Sequence, residues 1–471
     1  MHKLIVRSKS RIGTAIFLKK SSLHSSRGIL ASAKDQQHDT TPLEKISSGL
    51  HSIKNSILDS GPLKNLTTDK RPFTGKPENW GQAIREAQSL VQTTENERTI
   101  DPAKLVERDL GGIKSNITKL LYSNHPFLNR VAKHYFSGEG KHVRPLLVLL
   151  IAQATSIAEK KSPKQTVDYI SIDTPISEGL KNITTDDTFD RQIHYTPYVT
   201  EQGCTILPTQ RRLAEISEMI HTASLLHDDV IDASMTRRNL PSANASFGNK
   251  MAILGGDFLL ARASVALARL RNSECIELMA TCIANLVEGE FMQLKNTKDD
   301  KSFGKAKKLS TFDHYMEKTY MKTGSLIALS CKASAVLGDT TDEVATIAFD
   351  FGKNLGLAFQ LIDDMLDFTV TAAELGKPSG ADLKLGLATA PVLFAWEEYP
   401  ELEPLIKRKF SEKGDEERAR DLVYRSDGLK KTLDLATLHC KYAIESLNKL
   451  PASDARSALI QITEKLLTRK S

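Results

Sequence analysis

A chain of 471 residues with 40% hydrophobic and 26% charged side chains can bury a sizeable core and falls outside the collagenous and wholly disordered classes. Its formal charge of +6 gives no support to a nucleic-acid partner: eight positive residues precede the first acid, Asp35, and without them the remainder stands at −2, with no basic field for a polyanion. Five cysteines, Cys204, Cys275, Cys282, Cys331 and Cys440, form no CxxC pair, which argues against a disulfide scaffold or structural zinc and for buried thiols in a reducing compartment.

Residues 1–34 hold those eight charges, Lys3, Arg7, Lys9, Arg11, Lys19, Lys20, Arg27 and Lys34, among several serines. This is the composition of a mitochondrial transit peptide. Residues 35–100 are polar and weakly periodic, a linker or extension broken by GPLKN and KRPFTGKPEN. From residue 101 to 471 helical periodicity dominates. The longest nearly apolar run, Pro145 to Ala154, falls short of the roughly 20 residues that span a bilayer, so no transmembrane helix is expected. Residues 159–210, with Pro163, Pro175, Pro197 and Pro208 among Thr, Ser and Asp, are expected to form a surface insertion.

After that stretch, Leu213, Ile216, Ile220, Ala223 and Leu226 recur at helix spacing. Similar patterns fill Ala252 to Leu270, Ile276 to Leu294, Phe312 to Val336 and Asp342 to Phe368. Gly338 and the Gly376, Pro378, Gly380 group are the expected stops. Amphipathic segments continue to Leu467, and strand alternation is scarce. The expected fold class is all-α.

Two aspartate triplets carry the chemistry: Asp228, Asp229 and Asp232 in LLHDDVID, and Asp363, Asp364 and Asp367 in LIDDMLD. Each reads DDxxD. Residues four apart share a helix face, so Asp228 projects with Asp232 and Asp363 with Asp367. Like charges on an apolar helix need a compensating cation. Mg²⁺ meets that need while sharing its remaining positions with phosphate oxygens and water. One copy has about one chance in ten of arising at random in such a chain and two about one in two hundred, so the pair is informative where a single copy is not.

With these motifs in view, the sequence resembles the trans-isoprenyl diphosphate synthases, especially the long-chain polyprenyl synthases of mitochondrial ubiquinone biosynthesis. The resemblance covers roughly residues 101–471 and rests on GKHVRP (140–145), IHTASLLHDDVIDASMTRR (220–238), MKTGSL (321–326), FQLIDDMLDF (359–368) and GKPSGADLKLGLATAP (376–391). It implies an isoprenoid-synthase-type helical bundle around a central cavity with the two DDxxD clusters facing each other, usually as a homodimer or larger oligomer. It also implies two substrates, isopentenyl diphosphate and an allylic diphosphate. Metal would bind at Asp228, Asp232, Asp363, Asp364 and Asp367.

Lys141, Arg144, His221 and Arg238 resemble the family's isopentenyl diphosphate ligands, and Arg237, Lys322 and Lys377 its allylic diphosphate ligands. Arg grips a phosphate bidentately and Lys acts as a point charge. Lys322, Thr323 and Gln360 resemble the groups whose oxygens face the allylic cation. One departure is Leu387 in GLATAP, where many short-chain relatives carry lysine; Lys377 and Lys384 are the basic residues of that motif here.

Product length in the family is set four and five residues before the first cluster. Here those positions are Ser224 and Ala223, both small, with Ser217 about two turns below. A helical turn rises about 5.4 Å, close to one extended isoprene unit, so the expectation is six or more units, with hexaprenyl the first choice. The competing readings are a short-chain farnesyl or geranylgeranyl synthase, a terpene cyclase, and a non-catalytic subunit of a heteromeric synthase. The second intact cluster and GKHVRP disfavour the cyclase. A lipophilic product implies delivery at the matrix face of the inner membrane, although no residue demonstrates peripheral attachment.

Overall fold

Apolar side chains recurring three and four residues apart are buried only when helix packs on helix, and the computed structural model has that architecture. It describes residues 100–136, 142–161, 203–237, 240–294, 311–369 and 380–469. The leader, the extension through residue 99, residues 162–202 of the expected insertion, and Lys141, Arg238 and Lys377 lie outside the described residues.

The helices are α1 (Pro102–Leu105), α2 (Glu107–Leu120), α3 (Pro126–Ala132), α4 (Val143–Ser156), α5 (Pro208–Ile231), α6 (Ala243–Phe247), α7 (Asn249–Arg269) and α8 (Ser273–Leu294). They continue with α9 (Thr311–Thr319), α10 (Ser325–Leu337), α11 (Asp342–Thr369), α12 (Ala381–Lys384), α13 (Ala390–Glu398), α14 (Leu402–Lys407), α15 (Asp415–Arg425), α16 (Gly428–Leu447) and α17 (Asp454–Leu467). Among the described residues the sheet content is one two-residue antiparallel pair, Thr236–Arg237 with Leu240–Pro241. The all-α expectation holds.

The long helix α11 runs through the middle, flanked by α10 and α16, while α5 packs against α4, α7 and α10. α17 returns to close on α4 and α16. Proline at its first position and the Gln210 side chain, which accepts from Leu207 N at 2.9 Å, start α5, so Pro208, Thr209 and Gln210 belong to the helix rather than to a loop. Both aspartate clusters fall at carboxy-terminal helix ends, of α5 and α11. A second apolar cluster, including Phe368, Leu383, Val392, Leu402, Leu405 and Leu422, anchors α12 to α15 beside the end of α11.

Phe312 to Val336, expected as one helix, is interrupted. A π turn, Tyr320–Gly324, separates α9 from α10. The turn lies where two other helices press on it with glycines: a Cβ on Gly356 of α11 would sit 2.6 Å from Gly324 Cα, and one on Gly289 of α8 would sit 2.7 Å from Lys322 Cγ. One extra residue in the turn is a local widening of the kind that often marks a functional segment.

Gly338 ends α10, as expected, but the left-handed residue there is Asp339 (φ 53°). Glycine at 338 answers to space, because a Cβ would lie 2.9 Å from Gln210 Nε2. α7, although it carries Lys250, Asp257, Arg262 and Arg269, is long and apolar enough, by length and composition, to cross a membrane. In this fold its Ala252, Gly255, Gly256, Leu259 and Ala263 are buried, and the helix packs against α5. All five cysteines are buried and none forms a disulfide among the described residues, and burial pushes the thiols of Cys275, Cys282, Cys331 and Cys440 up to about 12.

Gly356→Ala should force the π turn and α11 apart and lower stability by about 1–3 kcal/mol, the usual cost of overpacking. Urea unfolding of the variant beside the parent chain measures it, and an unchanged midpoint would show that the contact yields freely.

Candidate active site

An aspartate cluster at a helix end can present its charges or bury them, and each cluster here does both. In the first, Asp228 and Asp232 are partly exposed, whereas Asp229 is fully buried. Arg237 grips Asp229 with Nε (2.8 Å to Oδ1, 3.0 Å to Oδ2) and Nη2 (2.6 Å to Oδ1), and the Tyr135 hydroxyl also donates to Oδ2. Tyr135 OH in turn accepts from Ala243 N at 2.9 Å. Burial first, then the hydrogen bond to Asp229, raises the Tyr135 pKa, which keeps the hydroxyl a donor.

The second cluster repeats the pattern. Asp363 is partly exposed and receives Arg469 Nη1 at 2.9 Å, with that guanidinium 4.7 Å from the Phe359 ring centroid. Asp364 is 3% exposed. Tyr315 OH donates to its Oδ2 (2.5 Å) and Gln360 Nε2 to its Oδ1 (2.7 Å). Asp367 is also buried, its carboxylate accepting from Ala381 N and Asp382 N, both at 3.2 Å, where it tethers the start of α12. Asp364 and Asp367 are thus turned toward protein donors, each of these oxygens accepting one such bond and having a second lone pair, while Asp363 is the more exposed carboxylate of this cluster.

The π turn lies between the clusters. Its Thr323 Oγ1 donates to Gln360 Oε1 at 2.8 Å, so Thr323, Gln360 and Asp364 form one hydrogen-bonded row. Lys322 Nζ forms an ion pair with Glu290 Oε2 and donates to Gln293 Oε1 at 3.0 Å. Glu290 is 8% exposed and its Oε1 has no hydrogen-bond partner among the described residues.

Burial raises Asp228 to about 6; Lys322 and Arg237 oppose the shift, and Glu290 and Asp232 add to it. A carboxyl held up by burial and like charges is a receptive position for a cation. Among the described residues no group of three acid, imidazole or thiol side chains is placed to hold a metal. An ion at these open carboxylates therefore needs oxygens from a ligand and from water, which is how Mg²⁺ ordinarily binds.

Of the remaining expected residues, Arg144 stands in the first turn of α4, against α5. His221, Ser224 and Asp228, all partly exposed, follow one another up a single side of α5, with Ser224 Oγ bonded to His221 O at 2.8 Å. Ala223 is fully buried. The sequence reading passed over Tyr135, Tyr315, Glu290, Gln293, Lys318 and Arg469. Glu290 and Gln293 had a signal, two polar residues three apart in the apolar helix GEFMQL; Tyr135 and Arg469 had none, because their partners are distant in sequence.

With this geometry in place, the comparisons assign the class: the chain belongs to the polyprenyl synthetase family, whose profile matches residues 198–423. A probable mitochondrial hexaprenyl pyrophosphate synthase of Yarrowia lipolytica is 51% identical over 435 residues, covering 88% of this chain and 95% of that protein. The mitochondrial hexaprenyl pyrophosphate synthase of Saccharomyces cerevisiae is 45% identical, covering 79% and 91%. Decaprenyl-diphosphate synthase subunit 1 of Schizosaccharomyces pombe is 49% identical, covering 78% and 90%. Among solved structures, a Caulobacter crescentus polyprenyl synthase complexed with calcium and isoprenyl diphosphate is 29% identical, with a TM-score of 0.62, covering 80% of this chain and all of that one. An Arabidopsis medium/long-chain prenyl pyrophosphate synthase is 36% identical, with a TM-score of 0.54, covering 79% and 100%. The helical fold is that of the isoprenoid synthases.

Asp229→Ala should cost roughly 3 kcal/mol in a denaturant titration, since it strands Arg237 without its partner. A loss below about 1 kcal/mol would show that water replaces the pair. Because a proton must leave Asp228 before an ion can bind, metal affinity should climb between about pH 5 and pH 7 and then level off. In the metal-free protein the same raised pKa makes stability fall as pH rises from about 4, the ordinary aspartate value, through about 6. Titration with Mn²⁺, followed by electron paramagnetic resonance, tests the metal dependence; Asp228→Asn should remove it.

Proposed function

We propose that the chain is a mitochondrial trans-polyprenyl diphosphate synthase that uses Mg²⁺ to extend an allylic diphosphate with isopentenyl diphosphate to six or more isoprene units, with hexaprenyl diphosphate for the ubiquinone side chain as product. The observation that carries this reading is the π turn between two clusters that keep Asp228, Asp232 and Asp363 open while presenting Lys322 and Thr323. Membership of the family supports prenyl transfer. The hexaprenyl names of relatives near half identity support the product, and their mitochondrial names agree with the basic leader at residues 1–34.

Asp228, Asp232 and Asp363 would hold the ions, and a divalent metal there would bind the diphosphate oxygens and stabilise the charge that develops on departure. The allylic C–O bond breaks with its electron pair going to the diphosphate. Lys322 faces that charge, and Thr323 and Gln360 offer oxygens to the carbon that turns cationic. The double bond of isopentenyl diphosphate, held by Lys141, Arg144, His221 and Arg238, then forms the new C–C bond, and the proton it loses passes to the departed diphosphate. Arg237, fixed by Asp229, and Lys377 complete the allylic site. Ser224 and Ala223 leave room below the first cluster for a growing tail.

Exposed apolar side chains on two helices, Met251, Leu254 and Val265 of α7 and Val287, Phe291 and Leu294 of α8, support assembly as a homodimer or larger oligomer. A heteromeric arrangement is favoured by one observation, the subunit name carried by the Schizosaccharomyces pombe relative.

The test is to incubate the chain without residues 1–34 with Mg²⁺, farnesyl diphosphate and labelled isopentenyl diphosphate and to size the dephosphorylated products. The expected ladder ends at or beyond about thirty carbons, six units at about 5.4 Å of helix rise each. It should vanish in Asp228→Ala and Asp363→Ala and shorten in Ser224→Phe. A stop at fifteen or twenty carbons assigns a short-chain synthase, while no incorporation by folded protein assigns a partner-dependent subunit.

A further inference from the structure

Buried cations are normally paired, and even the half-buried ones flanking the two clusters have partners. Arg237 is committed to Asp229, Arg469 to Asp363, and Lys322 to Glu290 and Gln293. Lys318 is different. Near the end of α9 and four residues before Lys322, it is 8% exposed and, among the described residues, makes no hydrogen bond or ion pair. Its contact is with the Tyr315 ring, whose centroid is 5.6 Å from the ammonium, near the outer limit of a cation–π interaction.

Asp364 is the nearby acid with the largest effect on Lys318, yet its oxygens are already occupied by Tyr315 and Gln360. Burial lowers the Lys318 pKa against the pull of Asp364, as expected for an ammonium whose counter-ion is not part of the protein.

We propose that Lys318 is a direct ligand of the allylic diphosphate, a second lysine one turn before Lys322. The proposal rests on the reading of this site as a diphosphate site. Lys318 in α9 and Lys322 in the π turn are four residues apart, about one turn of helix, a spacing from which two flexible ammonium groups reach the two phosphoryl groups of one diphosphate. As the allylic C–O bond breaks, its electron pair leaves with the diphosphate. A cation already stripped of water acts strongly on that charge, and it gains the partner it lacks.

Inorganic pyrophosphate in the presence of Mg²⁺ is the probe, titrated calorimetrically into the full chain and into Lys318→Met and Lys318→Gln. A charge-assisted bond of ordinary strength corresponds to at least about a tenfold weaker Kd in both variants. The KM for farnesyl diphosphate should rise with it while that for isopentenyl diphosphate stays within about twofold. The ligand-free unfolding midpoint of Lys318→Met should hold or rise, because the change removes an unpaired buried charge. Unchanged pyrophosphate affinity overturns the proposal, and so does failure of both variants to fold, since the ammonium would then be serving the fold itself. If the parent chain binds no pyrophosphate, the diphosphate-site reading fails instead.

Discussion

The backbone contact between the π turn and α11 at Gly324 and Gly356 is the constraint from which the site follows. With no side chain between them, turn and helix approach closely enough for Thr323 to meet Gln360, and Gln360 is thereby held against Asp364. Gly289 does the same for α8, bringing Glu290 and Gln293 onto Lys322. Two helices are indexed to one turn by residues that have no side chain. Their steric requirement, rather than any polar attraction, decides where the reactive groups lie.

The two clusters solve one electrostatic problem in the same way. Three ionised carboxylates within five residues repel one another, so the middle one is taken inside and secured by a tyrosine hydroxyl and a second donor. Arg237 is that donor for Asp229 and Gln360 for Asp364. The difference matters. Asp229 has a cation at contact, while Asp364 has neutral donors at contact, and burial raises its pKa. The first carboxylate of each cluster stays open, and the helix end behind it is pinned.

The fold class and both clusters were legible in the sequence because they rest on short-range periodicity. Apolar residues three and four apart marked α5, α7, α8 and α11, and DDxxD spacing marked the charged face of a helix. The π turn was not legible: its cause is a contact between Gly324 and Gly356, thirty-two residues apart, and the periodicity of Phe312 to Val336 carries no trace of it. The division of labour within each DDxxD was hidden for the same reason, since Tyr135 lies 94 residues from Asp229 and Tyr315 lies 49 from Asp364. Spacing shows which side chains share a face. It does not show which of them that face buries.

The buried thiols carry a consequence for how this molecule reports on itself. Cys275 and Cys282 sit inside α8, Cys331 inside α10 and Cys440 inside α16, with pKa values pushed up by burial to about 12. Raised this far and shielded, these four stay protonated, so an electrophile finds no thiolate at these positions of the folded chain. Alkylation can then proceed only through transient opening of the helices, and the order in which the four sites react becomes a record of which parts of the bundle breathe first.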